Sequence, residues 1–141
     1  MKNTICAVLA FLMMGSVGFA GETPAPDGAS VYFINLKDGD TVSSPVHIQF
    51  GLRGMGVQPA GVEGKPHTGH HHLLVDSEIV GEDLDYSIPA DDHHRHFGGG
   101  QTEATIELSP GRHVLQLIMG DMNHIPHNPT VMSERITITV E

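Results

Sequence analysis

Short segments in which apolar and polar residues alternate recur along this chain, and turn-forming residues separate them. Alternation with a period of two puts apolar side chains on one face of a β-strand, and residues 46–51, 103–108 and 135–140 follow it. Residues 113–119 are apolar on nearly both faces, which is typical of a central strand. No segment has a convincing helical period, and 17 Gly and 9 Pro favour turns over long helices. The pattern predicts an all-β protein.

The number and length of these segments predict an antiparallel β-sandwich of immunoglobulin-like size, with about seven short strands. A small β-barrel is the structural alternative. The disulfide and buried Trp usual in immunoglobulin domains are missing, because the chain has one Cys and no Trp. The segments that we predict as strands are 31–36, 46–51, 71–75, 103–108, 113–119 and 135–140.

The first 20 residues are typical of a secretory signal peptide. Lys2 precedes the apolar run 5–14, and small residues follow at 18–20, the order that a signal peptidase accepts. The run is too short to predict a membrane span, so we expect a bacterial periplasmic or secreted protein with no span in the mature chain. Residues 21–30 are rich in Pro, Gly and Ala and predict a flexible N-terminal arm, and residues 31–141 predict a single β-sandwich domain.

Charge and cysteine usage exclude several functions. Seventeen Asp and Glu against 7 Lys and Arg give a net charge of −10, which disfavours nucleic acid and anionic membranes as partners. Removal of the signal peptide would also remove Cys6, so disulfides and thiolate metal sites are excluded. The chain has 11 His, more than its Lys and Arg combined.

The histidines form three clusters, at residues 65–72, 93–100 and 121–129. On an extended backbone His70 and His72 share one face, roughly 6.5 to 7 Å apart, so both imidazoles can reach one ion. His94 and His96 repeat this spacing, and three glycines follow at 98–100. Such a glycine run indicates unusual backbone angles or the close approach of another group. The third cluster lies in a proline-stiffened loop.

The residue types in these clusters predict a metal site. Imidazole suits Cu(II), Zn(II) and Ni(II), and thioether sulfur adds affinity for Cu(I). Asp121 is expected to orient a ligand imidazole. His71 and His93 are expected to be neighbours of the site. His47 and His113 lie singly within strands and are expected to be ordinary surface or hydrogen-bonded histidines. The predicted ligands are His70, His72, His96, His124 and His127, with Met122 and His67 as second choices.

We therefore predict a non-catalytic metal-binding protein, a copper or zinc carrier, buffer or chaperone, with a second periplasmic metal-handling protein as a candidate partner. The alternative is a structural or interaction domain in which the histidines form a pH-responsive hydrogen-bonded network. Replacing His70 and His72 by Ala separates these two hypotheses. Loss of a metal site should abolish binding and leave the fold intact, whereas loss of a buried network should lower stability with or without metal.

Three segments resemble the bacterial family called domain of unknown function 4399: 66–76, 96–103 and 120–127. The resemblance covers roughly residues 35–140 and implies a small exported bacterial domain. It implies no activity and names no metal.

Enzyme functions find less support in the sequence. Gly64 with His70–His72 resembles the first half of a cupin metal motif, but the expected Glu falls one residue late, at Glu78. The segment 110–113 resembles the second half of the motif but is one residue short. A cupin-like metalloenzyme is therefore the least favoured alternative. No Gly-x-Ser-x-Gly elbow is present to indicate a hydrolase.

Overall fold

The computed structural model describes residues 23–141, which form nine β-strands and one short 3-10 helix, Gly81–Asp85. The predicted signal peptide and the first two residues of the predicted arm lie outside the described residues. The strands are β1 (Ser30–Phe33), β2 (Thr41–Val42), β3 (Val46–Arg53), β4 (Gly56–Val57), β5 (Thr68–Val75), β6 (His94–His96), β7 (Glu103–Ile106), β8 (Gly111–Gly120) and β9 (Ile136–Val140).

The strands form two sheets, and the all-β sandwich prediction is confirmed. One sheet has the order β1-β3-β7, and the other has the order β2-β9-β8-β5-β4 with β6 paired to β5. The orders β1-β3-β7 and β5-β8-β9 match strands A-B-E and C-F-G of immunoglobulin sandwiches. The two sheets remain separate, so the alternative of a closed small barrel is not adopted.

The structure has three strands beyond the six predicted segments, which gives nine strands against the expected number of about seven. β2, β4 and β6 are only two or three residues long, too short for an alternating pattern to be detected. The antiparallel prediction holds for the long ladders, but β2 pairs parallel to β9 and β4 pairs parallel to β5. Both parallel pairs are two residues long, and they extend the two edges of the larger sheet.

The main core lies between the two sheets. It contains the side chains that point inward from every second position of each strand. Ile48 and Phe50 of β3 pack in one cluster with Leu73 of β5 and Leu117 of β8. The remaining buried members include Val31, Val46, Val75, Ile106, Leu115, Met119, Ile136, Ile138 and Val140. His70 and His72 lie on the other face of β5, whereas the buried His71 ring packs against Phe50 of this cluster.

The opposite face of the larger sheet is covered by the loops that follow β5 and β8. There Leu74 and Ile118 form a second, smaller cluster with Ile79 and Ile88 of the loop after β5. Side chains alternate along a strand, so His72 and His70, two and four residues before Leu74, also lie on this covered face.

The described part of the predicted arm is hydrogen-bonded to the loop after β8. The Thr23 hydroxyl donates to Asp121 at 2.6 Å. The backbone of residues 23–25 also makes two hydrogen bonds with that of Asn128. Among residues 23–141 no helix has the length and apolar character needed to cross a membrane.

Candidate metal centre

Strand β5 supplies two histidines to the covered face of the larger sheet. His70 and His72 are both fully buried, and their Nε2 atoms lie 2.9 Å apart. Pairing of β5 with β6 places His96 directly opposite His72, and the centroids of these two rings are 5.0 Å apart. The His-x-His spacing and the strand register therefore bring three imidazoles together.

The loop after β8 supplies the fourth imidazole, that of His124. Its backbone has φ of 68°, and the His124 N–H donates to the Asp121 carbonyl at 2.9 Å. The N–H of Ile88, from the neighbouring loop, donates to the His124 carbonyl at 2.9 Å. Held in this way, the His124 ring lies 4.7 Å from the His96 ring and 5.1 Å from the His70 ring, centroid to centroid.

The four rings surround a small common space. One nitrogen from each of His70, His96 and His124 lies within 4.8 Å of the other two. Nitrogens bound to one ion at 2.0–2.1 Å are about 2.9 Å apart at a right angle and about 3.3 Å apart at the tetrahedral angle. The 2.9 Å contact between the Nε2 atoms of His70 and His72 is a hydrogen bond, in which one ring donates its proton. An ion would have to replace this contact, and the nitrogens up to 4.8 Å apart would have to move closer to one another. These four residues form the histidine cluster.

Two glycines give the imidazoles the room that they occupy. A Cβ on Gly98 would overlap the His96 ring, and a Cβ on Gly120 would lie 2.9 Å from His72 Nε2. The close approach predicted for the glycine run at 98–100 is thereby confirmed, and Gly100 has φ of +82°. The sequence did not indicate a close approach at Gly120, because its contact with His72 depends on the pairing of β8 with β5.

The surroundings keep the buried members of the histidine cluster uncharged. Burial, with the neighbouring His96 and His124 rings, lowers the pKa of His70 to about 4. Burial and the adjacent His70 lower the pKa of His72 to about 2. Burial also lowers the pKa of His96. At neutral pH the lone pairs of these rings are therefore available to an electrophile.

Hydrogen bonding leaves much of the histidine cluster unsatisfied. The His70–His72 contact is the one hydrogen bond between rings of the cluster in residues 23–141. The Nδ1 atoms of His70 and His72 are buried and have no partner in that part of the chain. Leaving a buried polar atom unpaired costs about 1–3 kcal/mol, so the cluster is an expensive arrangement for a protein that binds nothing there.

The cluster also opens to solvent on one side. His96 is exposed and His124 is half-buried, while His70 and His72 form the floor. An ion held by the four nitrogens would thus keep one accessible side, through which it can enter and leave.

Three predicted ligands lie outside the histidine cluster. The His127 ring is buried between the strand ends, with Nε2 3.1 Å from the Thr68 carbonyl and Nδ1 3.4 Å from the Met119 carbonyl. His67 is exposed in the turn before β5, with φ of 63°. Met122 is 37% exposed and lines a separate cavity of about 390 Å³. The loop containing Met122 turns so that His124, and not His127, lies against the His70 and His96 rings.

The carboxylate of Asp121 has a different role from the one predicted. It accepts the Thr23 hydroxyl and the backbone N–H groups of Asn123 and Ile125, at 2.6, 2.8 and 3.0 Å. Asp121 therefore shapes the loop that presents His124 instead of binding an imidazole nitrogen. Its negative charge still acts on the cluster, since it opposes the lowering of the His70 pKa.

His71 points away from the cluster, as expected of a neighbour between two ligands on a strand. Its ring packs against Phe50 in the main core, with centroids 5.1 Å apart. Burial lowers the pKa of His71 to about 4. Alternation along β5 thus separates the middle histidine from the two around it.

Comparisons with known proteins give a family and little else. The profile of the family described as Domain of unknown function (DUF4399) matches residues 48–141, which include all four members of the histidine cluster. No curated protein matches the chain. Among solved structures, an endo-beta-1,4-mannanase from Thermotoga petrophila aligns at 16% identity with a TM-score of 0.43. That alignment covers 80% of this chain and 20% of the mannanase.

Proposed function

This chain belongs to the DUF4399 family, and we propose that it binds one divalent transition-metal ion through the histidine cluster. The ligands are His70, His72, His96 and His124. We further propose that the protein is a carrier or buffer for this ion outside the bacterial cytoplasm, where the signal-like composition of residues 1–20 would direct it.

The convergence of four imidazoles on one space, with lowered pKa values for His70, His72 and His96, is the observation that supports the proposal most strongly. Neutral imidazole is the form that binds metals. Two of the rings are fully buried with an unpaired Nδ1 each. An ion bound through Nε2 would engage a lone pair of each ring, and each Nδ1 would then carry its ring's proton.

The donor set favours copper(II) over zinc(II). All four donors are imidazole nitrogens, and the order of affinity for such sites places Cu(II) above Zn(II). Met122, the thioether that would favour Cu(I), lies outside the cluster. We therefore expect Cu(II) to bind most tightly, with Zn(II) second.

The open side of the cluster supports a carrier rather than a store. His96 belongs to a three-residue edge strand and His124 to a loop, so the exposed ligands are on the less constrained elements. A chelating group of a partner protein could replace them one at a time. The two ligands on β5 would hold the ion during the exchange.

Metal titration of the purified, tag-free protein tests the proposal. The stripped protein is titrated with Cu(II), Zn(II) and Cu(I), with native mass spectrometry for stoichiometry and the thermal midpoint for stability. We expect one ion per chain and a higher midpoint, because a ligand that binds only the folded state stabilises it. The variant His70→Ala/His72→Ala should lose both effects.

The matched control is His47→Ala/His67→Ala, which also removes two histidines, both of them exposed and outside the cluster. This control should bind like the unmodified chain. Weak uptake that does not saturate, or equal binding by the two double variants, would eliminate the cluster as a metal site and leave the pH-responsive network as the function to pursue.

A further inference from the structure

Three side chains outside the histidine cluster form a hydrogen-bonded row. The Ser77 hydroxyl lies 2.9 Å from His94 Nε2, and His94 Nδ1 lies 2.8 Å from Asp91 Oδ1. An ionised carboxylate only accepts, so Nδ1 carries the imidazole proton and Nε2 accepts the hydroxyl. This is the order of contacts in a nucleophile, base and orienting acid.

Strand pairing builds the row. Leu74 of β5 is opposite His94, the first residue of β6, and the Val75 N–H donates to the His93 carbonyl at 2.8 Å. Ser77, two residues beyond the end of β5, is thereby brought against the His94 ring. Asp91 is fixed by the backbone N–H groups of His93 and His94, which donate to its Oδ1 at 2.8 and 2.9 Å.

The row opens into a cavity of about 320 Å³. Ser77 and His94 line this cavity, with an apolar wall of Ile79, Tyr86 and Pro89 and two acidic residues, Glu78 and Asp83. Within residues 23–141 the backbone N–H groups of Ser77 and Glu78 make no hydrogen bond. Unpaired amides next to a nucleophile are the donors from which an oxyanion hole is made.

We propose that Ser77, His94 and Asp91 form a hydrolytic site for small carboxylic esters. Ser77 is the nucleophile, His94 is the general base, and Asp91 holds the imidazole in the required tautomer. The apolar wall fits a short acyl group. The acidic residues disfavour anionic substrates, so neutral or cationic esters are the class accepted.

The reaction is an acyl transfer in two steps. In the first, Ser77 Oγ bonds to the ester carbonyl carbon while its proton passes to His94 Nε2; the alkoxide then leaves and takes that proton as an alcohol. In the second, water gives a proton to His94 and attacks the acyl-serine, which releases the carboxylic acid and returns the proton to Ser77. Water is the co-reactant of the second step.

Sequence motifs could not find this site, because such triads are recognised by geometry and not by spacing. The chain lacks the Gly-x-Ser-x-Gly elbow, and Ser77 follows an edge of the β5–β6 ladder instead.

Covalent labelling of the metal-stripped protein tests the proposal. A fluorophosphonate probe forms a bond from Ser77 Oγ to phosphorus with loss of fluoride, and peptide mass spectrometry locates the adduct. We expect one adduct per chain, at Ser77, and none in Ser77→Ala. His94→Ala should slow labelling by about 100-fold or more, the usual contribution of a general base.

Ser87 provides a matched control. It lines the same cavity, but its hydroxyl donates to the Asn123 carbonyl at 2.8 Å and has no histidine beside it. Ser87→Ala should be labelled at the rate of the unmodified chain. Hydrolysis of an acetate ester should be lost with Ser77→Ala and kept with Ser87→Ala.

Two results would overturn the proposal. One is an absence of labelling at Ser77 in a protein whose thermal midpoint shows that it is folded. The other is equal labelling of Ser77 and other surface serines, which would indicate that His94 does not activate the hydroxyl.

Discussion

Replacement of His70 and His72 together by Leu should stabilise the metal-free protein and abolish stabilisation by metal. The two side chains are fully buried, and each has an Nδ1 without a partner. An unpaired buried polar atom costs about 1–3 kcal/mol, and the lost Nε2 to Nε2 hydrogen bond is worth about 1 kcal/mol. The variant should therefore gain at least about 1 kcal/mol in the free energy of unfolding.

Urea unfolding and thermal melts of stripped and metal-loaded protein measure both effects. A gain of about 1 kcal/mol raises the thermal midpoint of a domain of this size by about 4 °C. At a metal concentration of 100 Kd the unmodified chain should gain about 2.7 kcal/mol, and the variant nothing. Destabilisation of the stripped variant by more than about 2 kcal/mol would refute the reasoning, because it would mean that the two imidazoles stabilise the fold as a hydrogen-bonded network.

Three further replacements test separate parts of the structure. Gly98→Ala should weaken metal binding by tenfold or more in the titration, about 1.4 kcal/mol, because a Cβ there overlaps the His96 ring. Met122→Leu should leave the affinity and stoichiometry of Cu(II) binding unchanged by mass spectrometry, since Met122 lies outside the cluster. A lower affinity would indicate that Met122 is a ligand. His113→Gln should flatten the pH dependence of unfolding as pH rises above about 6.5, the usual pKa of histidine. Burial lowers the pKa of His113, but the Ser109 carbonyl and Asp76 carboxylate, at 2.8 and 2.7 Å, raise it by more. The raised pKa gives stability that is present below the unfolded value of about 6.5 and is lost as pH rises through the folded value, about 0.5–1 kcal/mol for a partly exposed pair. His93 also lies near Asp76 and should be kept in both proteins; an unchanged pH profile would contradict this account.

The sequence predicted those parts of the histidine cluster that depend on local periodicity. The period of two in β5 places His70 and His72 on one face and His71 on the other, and the structure shows this division. The alternation rule predicts that His96 joins His70 and His72 only when the register of β6 against β5 is known. A three-residue strand carries too few alternations to reveal itself, so the opposition of His96 and His72 had to come from the structure.

The separation of His127 from the histidine cluster has a different origin, since the sequence did not distinguish His124 from His127. The Asp121 carboxylate binds the Asn123 and Ile125 amides, which closes the loop into a turn with His124 in the left-handed region. Gly120 then bridges Pro126, and the chain leaves the sheet with His127 against the carbonyls at the strand ends. A proline-stiffened loop with two histidines is compatible with either one facing the sheet. The Asp121 carboxylate makes this choice by binding backbone amides and no imidazole. Asp121 would therefore determine the ligands of the proposed metal site without contacting the ion. Asp121→Asn, which keeps the shape but weakens the acceptor, should therefore lower metal affinity through the position of His124 while leaving the His70–His72 pair intact.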